Sequence, residues 1–379
     1  MFSRPTVFVL GAGASWHYGY PTGERLVQDV IAEAKSLSRH YEKWNRYGQY
    51  LTAHAQSKAE RGSPTNPMAL NAAAKKDCDE LVGRLQALNP LVIDYFLAQN
   101  PSLQDIGRLV ISLVILKAEA EWLRTRANIN RRRQFQDSPF SEERGRGVDI
   151  RKFKDDWCRF VLYNMTSGCR SLSDLMKNQV RFVTFNYDTS LERRLHDGLR
   201  AIEIFCDGQL QDFITADRFI HVYGQVGTHE EAAITPVHSP EGDDPSTLAN
   251  FVGMVDFAWN AAKRIRTIDP EEKEIDQDVL RKARAALDNS AFVYILGYGF
   301  DPNNSARIGL QTLRPNTDKA LPQIYFTNFQ DSNRVNERAS LLFHRVPALL
   351  PRGTSRVSHT EKSIRDAYQA LELDFEFPS

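Results

Sequence analysis

Four cysteines in 379 residues, none in a C-x-x-C pair, exclude a zinc ribbon and a disulfide framework. Cys78, Cys158, Cys169 and Cys206 stand apart from one another, as expected of a reduced, cytoplasmic protein with no bound metal. An excess of charge is missing too. The 48 Lys and Arg residues balance 48 Asp and Glu, so no global field draws the chain to nucleic acid or to an anionic membrane. No apolar run approaches the length of a membrane span. The run Val7 to Leu10 leads straight into glycines, and it reads as a core strand rather than a signal peptide.

What is present is an α/β pattern. Short apolar runs at Thr6 to Leu10, Arg181 to Phe185, Ala201 to Phe205, Phe219 to Val222, Phe292 to Leu296 and Ile324 to Phe329 read as strands. Helical spacing separates several of them, at Thr189 to Leu199, Ser305 to Leu313 and Asp331 to Leu342. This predicts a Rossmann-like, mostly parallel sheet with helices on both faces. Between the first strand and the second, almost no strand signal appears. Leu26, Val27, Val30, Ile31, Ala34 and Leu37 share one helix face, with Thr22 as N-cap. Met68 to Leu88 and Pro101 to Arg126 read as amphipathic helices, Val92 to Leu97 as a shorter apolar piece, and Asp155 to Leu172 as helix again. The fold is thus expected to carry a large helical insertion after its first strand. Between Arg124 and Lys154, ten Lys and Arg face four Asp and Glu. That segment is either a solvated loop or a docking surface for nucleic acid or a partner protein. A last helix is expected over Glu361 to Leu371.

Gly11 and Gly13 follow the first strand directly. A turn there needs the backbone freedom of glycine, and the next helix offers unpaired N–H groups to a pyrophosphate. A ligand-free strand-to-helix turn is the plainer reading. The dehydrogenase G-x-G-x-x-G is not met, because Trp16 occupies the third glycine position. No second strand with a terminal acid follows at the expected distance, so hydride transfer is disfavoured.

Asn186 and Asp188 end the second strand, where ligands of open α/β sheets bind, although Asn and Asp also serve plain turns. His221 sits within an apolar strand. It is either a satisfied core histidine or a general acid–base group. Ile295 to Asp301 supplies a second strand with a glycine turn, and Asn328 ends another strand.

In order and spacing, these motifs resemble the sirtuin-like family, in particular its bacterial NAD-hydrolysing antiphage branch. Gly11-Ala-Gly-Ala-Ser15 resembles the G-A-G-x-S phosphate turn, and Asn186-Tyr-Asp188 the N-x-D motif. His221-Val-Tyr-Gly224 is similar to the H-G element with two extra residues, and Gly297 to Asp301 with Asn328 to the later adenosine-side elements. The resemblance implies an NAD-binding domain from 1–37 and 179–345, a helical insertion from 38–178 and a C-terminal tail from 346–379. It implies NAD as substrate, bound by Gly11, Ala12, Gly13, Ser15, Asp188, Gly297 and Asn328, with Asn186 and His221 catalytic. NAD depletion during phage infection is the implied role. The implied assembly is a homo-oligomer with a separate HerA-like ATPase, through which nucleic acid is approached indirectly. The alternative is an NAD- or ADP-ribose-binding regulatory subunit of that ATPase. Protein deacylation is disfavoured by the missing ribbon cysteines and by Gly19 to Gly23, which lacks the D-F-R of deacylating sirtuins.

Overall fold

The computed structural model describes residues 1–47, 67–134, 157–205, 207–215, 217–228, 255, 257–267, 274–313, 322–327 and 332–344. Its frame is a five-stranded sheet of β1 (Thr6–Leu10), β2 (Val180–Thr184), β3 (Phe219–His221), β4 (Phe292–Leu296) and β5 (Gln323–Phe326). All neighbours pair in parallel, in the order β3-β2-β1-β4-β5. Chain order reverses between β1 and β4, and that reversal opens a crevice beyond the carboxyl ends of those two strands.

The helices are α1 (Gly23–Tyr47), α2 (Pro67–Leu88), α3 (Ile93–Gln99), α4 (Gln104–Gln134), α5 (Trp157–Thr166) and α6 (Leu172–Met176), all between β1 and β2. Then come α7 (Ser190–Arg200), α8 (Asp207–Phe213), α9 (Glu274–Asp288), α10 (Pro302–Arg307) and α11 (Asn333–His344). Among the described residues no helix is long and apolar enough to cross a membrane. The α/β class and the helical insertion after the first strand are therefore as expected.

All five residues of β1 are buried, as befits a central parallel strand covered on both faces. Register aligns one aromatic from each strand. Phe219, Phe182, Phe8, Tyr294 and Tyr325 stack in sequence across the sheet, with successive ring centroids 5.0, 5.4, 5.1 and 5.1 Å apart. Such pairs add about 0.5–1.5 kcal/mol each beyond their burial. Trp157 of α5 stacks on the middle of this ladder, 6.0 Å from Phe8. Its indole N–H donates to the Ala14 carbonyl at 3.0 Å, so one residue of the insertion joins the sheet face to the glycine turn.

Several sequence expectations are corrected. Ala201 to Phe205 is not a strand but a run of turns after α7, with Ile202 N–H on the Leu199 carbonyl and Phe205 N–H on that of Ile202. The I-E-I-F alternation imitates a strand because Phe205 is buried while Ile204 is 47 % exposed. α4 is not amphipathic in its middle, where Leu109 to Leu116 are buried on every side. A helix apolar all round is a core helix, and α4 is the core of the insertion. The span expected as one helix over Asp155 to Leu172 is broken after Thr166, and a separate helix, α6, begins at Leu172. α8 and α9 are additions to the expected elements, and the helical stretch expected over Ser305 to Leu313 is divided between α10, which ends at Arg307, and a 3-10 turn at Leu310–Thr312. The tail from 346–379, Cys206 and most of the Arg-rich segment lie outside the described residues.

Candidate active site

The Gly11 turn does not run directly into a long helix. Two short 3-10 turns, Ala12–Ala14 and Trp16–Tyr18, intervene before α1 starts at Gly23. The N–H groups of Gly11, Gly13, Ala14 and Ser15 bond to the carbonyls of Leu296, Gly297, Gly11 and Ala12. Ala12 has the one N–H of this turn with no acceptor among the described residues. The first long helix after the glycines, α1, starts further on, where Thr22 and Gly23 line the same cavity.

The glycines are required by each other. A Cβ on Gly11 would lie 2.5 Å from the Gly297 carbonyl oxygen, and one on Gly13 2.8 Å from the Gly297 Cα. Gly297 has a φ of +58°, and its Cβ would fall 2.1 Å from the Ala14 nitrogen. Two glycine turns, at the ends of β1 and β4, are thus packed backbone to backbone across the switch point. Thr327, at the end of β5, accepts the Gly297 N–H on its hydroxyl at 2.8 Å. Asn328 lies outside the described residues.

These turns form one side of a cavity of about 930 Å³. That is at the upper end of small-molecule sites and suits a dinucleotide. Gly11, Ala12, Gly13, Ser15, Gly297, Asn186 and Asp188 all line it, so the sequence-derived candidates within the described residues converge there, with one exception. His221 does not line it. It is buried behind Asn186, beside a second, very small cavity shared with Ser15, Asp188 and Glu192. Its Nδ1 faces the Asn186 carbonyl at 3.1 Å and its Nε2 faces Glu192 Oε1 at 2.5 Å. A carbonyl only accepts, so Nδ1 carries a proton, and Nε2 shares one with Glu192. Burial opposes the imidazolium, but the Glu192 carboxylate and the Asn186 carbonyl outweigh it, and the pKa is raised. Held this way, the ring has no open lone pair for a substrate.

Asn186 is anchored on three sides. Its N–H donates to the Thr184 hydroxyl at 3.1 Å, its carbonyl accepts from His221, and its Nδ2 donates to Ser15 Oγ at 3.2 Å. Its Oδ1 is buried without a hydrogen-bond partner. Asn186 lines both the large cavity and the very small one beside His221, and a buried acceptor of this kind fits a water or a ligand hydroxyl. Asp188 accepts from the N–H and hydroxyl of Ser190. Burial raises its pKa, against the pull of those bonds and of Ser15.

The insertion holds this loop from the other side. Glu119, wholly buried on α4, accepts from Thr189 N–H at 3.0 Å and Thr189 Oγ1 at 2.8 Å, and it pairs with Arg193 at 3.2 Å. Asp94 of α3 lines the cavity and accepts the hydroxyl of Tyr187, the middle residue of the N-Y-D motif. Sequence reasoning passed over Glu119, Asp94 and Glu192. Asp94 has a faint signal, a lone acid in the apolar run Leu91 to Leu97, whereas Glu119 and Glu192 sit among other charged residues. Trp16, Leu88 and Leu91, all more than half exposed, sit at the cavity rim.

The chain matches no family model, no curated protein and no solved structure.

Proposed function

We propose that the chain binds NAD in this cavity and hydrolyses its bond between nicotinamide and ribose. The C1′–N bond breaks, its electron pair neutralises the pyridinium nitrogen, and water supplies the new C1′ hydroxyl with release of one proton. The products are nicotinamide and ADP-ribose. Because the leaving group is already cationic, positioning and electrostatics supply most of the rate. The observation that carries the reading is convergence. Two interlocked glycine turns and Asn186, whose buried Oδ1 has no partner, line one dinucleotide-sized cavity at the switch point. Asn186 orients the ribose or the attacking water. His221 takes the part of a positioning residue, fixing the Asn186 backbone through its carbonyl. The setting proposed with it is NAD depletion in phage defence, in company with a HerA-like ATPase.

A second reading, an NAD- or ADP-ribose-binding regulatory subunit, draws on two observations. The N–H groups of the Gly11 turn are mostly consumed internally, and His221 has no face on the cavity. Nicotinamide release by the purified chain, alone and with a HerA-like ATPase, separates the two. Under the hydrolase reading Asn186→Ala lowers release at least about 100-fold while the chain stays folded. Tight NAD binding with no release in either state selects the second reading.

A further inference from the structure

Hydrolysis of NAD needs an acceptor for the proton of water, and His221 is not placed to be one. Three described carboxylates line the cavity: Asp94, Asp188 and Asp301. Asp301 caps α10, and its Oδ1 takes the N–H groups of Asn303 and Asn304 and the Tyr95 hydroxyl. Asp188 is occupied by both donors of Ser190. Asp94 accepts one side-chain hydrogen bond, from Tyr187 to Oδ1. Besides a backbone hydrogen bond from Asp94 itself, that is its one donor, against three on Asp301 and two on Asp188, so Asp94 is the least committed of the three.

We propose that Asp94 is the proton acceptor of this site, with Tyr187 fixing one carboxylate oxygen and leaving the other for the attacking water. The inference rests on the NAD-hydrolysing reading. As the water oxygen bonds to C1′ and the C1′–N pair leaves with nicotinamide, the water proton moves to Asp94 Oδ2. It then passes to solvent when ADP-ribose departs. Burial raises the Asp94 pKa to about 6, against the Tyr187 hydrogen bond and the charge of Arg307, so the group takes and returns a proton near neutral pH. Its own backbone hydrogen bond also favours the carboxylate, Tyr223 from the loop after β3 interacts with it, and Arg108 of α4 acts on Tyr187. The phenols of Tyr187 and Tyr223 are raised by burial and stay protonated, so neither competes as a base. The helical insertion then contributes a reacting group rather than a wall. Asp94 belongs to α3, and its hydroxyl partner lies between the two polar residues of the β2 loop.

The test is the pH dependence of nicotinamide release by the full chain, with NAD affinity measured separately by calorimetry. Wild type should lose kcat below an acid limb near pH 6. Asp94→Asn keeps an acceptor for Tyr187. It should bind NAD within about threefold of wild type, lose kcat about 100-fold, and lose that limb. Tyr187→Phe removes a bond that favours the ionised carboxylate, so it should move the limb to higher pH. That variant decides the matter if Asp94→Asn does not fold. An Asp94→Asn enzyme with kcat within threefold of wild type and the same limb overturns this inference and leaves the hydrolase reading standing. So does an unshifted limb in Tyr187→Phe. A wild-type chain that binds NAD and releases no nicotinamide overturns both.

Discussion

The two edges of the cavity are held by different physics. On the β1–β4 edge, two glycine turns are locked mainly by backbone contact, with the Thr327 hydroxyl on Gly297 and the Trp157 indole on Ala14 as side-chain supports. On the β2 edge, the loop from Asn186 to Arg193 is held almost wholly by side chains: His221, Glu192, Ser15, Asp94 and Glu119. The close contacts of the first edge are backbone on backbone, with no room for a methyl group at Gly11, Gly13 or Gly297. The second is a buried polar network whose members change with pH. Shape at one edge and charge at the other suits a ligand bound as a rigid scaffold on one side and reacted on the other.

Steric locking is the less forgiving of the two. Gly297→Ala places a Cβ against the backbone of Gly13 and Ala14 and demands a left-handed φ. Strain and overpacking together should cost about 4 kcal/mol. Thermal unfolding should show the variant far less stable than wild type, with any residual folded fraction unable to bind NAD. A variant that melts within a few degrees of wild type would mean that the two turns part easily, and the contrast between the edges would fail.

Polar locking should be costly in a different way. Glu119→Ala leaves Arg193 buried without its carboxylate and strips the acceptor from both donors of Thr189. Breaking a buried pair from one side costs about 3–5 kcal/mol. Here about 3 kcal/mol is expected, because Glu119 is itself pushed toward neutrality by burial, which weakens the pair. Urea unfolding should register the loss. A change below about 1 kcal/mol would show that the insertion does not hold the β2 loop.

The same contrast governs how much the sequence disclosed. The glycine edge was legible because few residues besides glycine permit a close backbone approach, and its strands carry unmistakable apolar runs. Asn186 and Asp188 were legible because they end such a run. Strand order was not, since parallel pairing is set by crossovers that leave no local pattern. The partners on the β2 edge were hidden for a related reason. Glu119 and Asp94 come from helices remote in sequence, and one acid on a helix reads as noise until folding brings its partner across. His221 shows the converse: its residue type was informative, but only its neighbours reveal that both ring nitrogens are engaged.

The smallest effect expected is also the most diagnostic, because it runs against the usual direction. Asp94 has a folded pKa of about 6 against an ordinary value of 3.8. A carboxyl raised in the folded state stabilises the fold while protonated and loses that contribution as pH rises from about 4 to about 6. Above this window an ionised, buried Asp94 weighs against the fold by up to about 3 kcal/mol. Asp94→Asn removes the charge and keeps the acceptor for Tyr187, but its amide gains a buried donor to satisfy, which costs about 1–3 kcal/mol. The variant should therefore be about 1 kcal/mol more stable than wild type at pH 7.5 and less stable at pH 4, measured as a difference in Tm. His221 adds its own pH slope, since its raised pKa also makes stability fall at higher pH, but that slope is common to both proteins and cancels in the difference. A carboxylate that lowers stability at neutral pH while lining the cavity fits the proposed proton acceptor better than a role in folding. An Asp94→Asn difference of constant sign from pH 4 to 7.5 would remove that argument and leave the β2 edge a purely structural network.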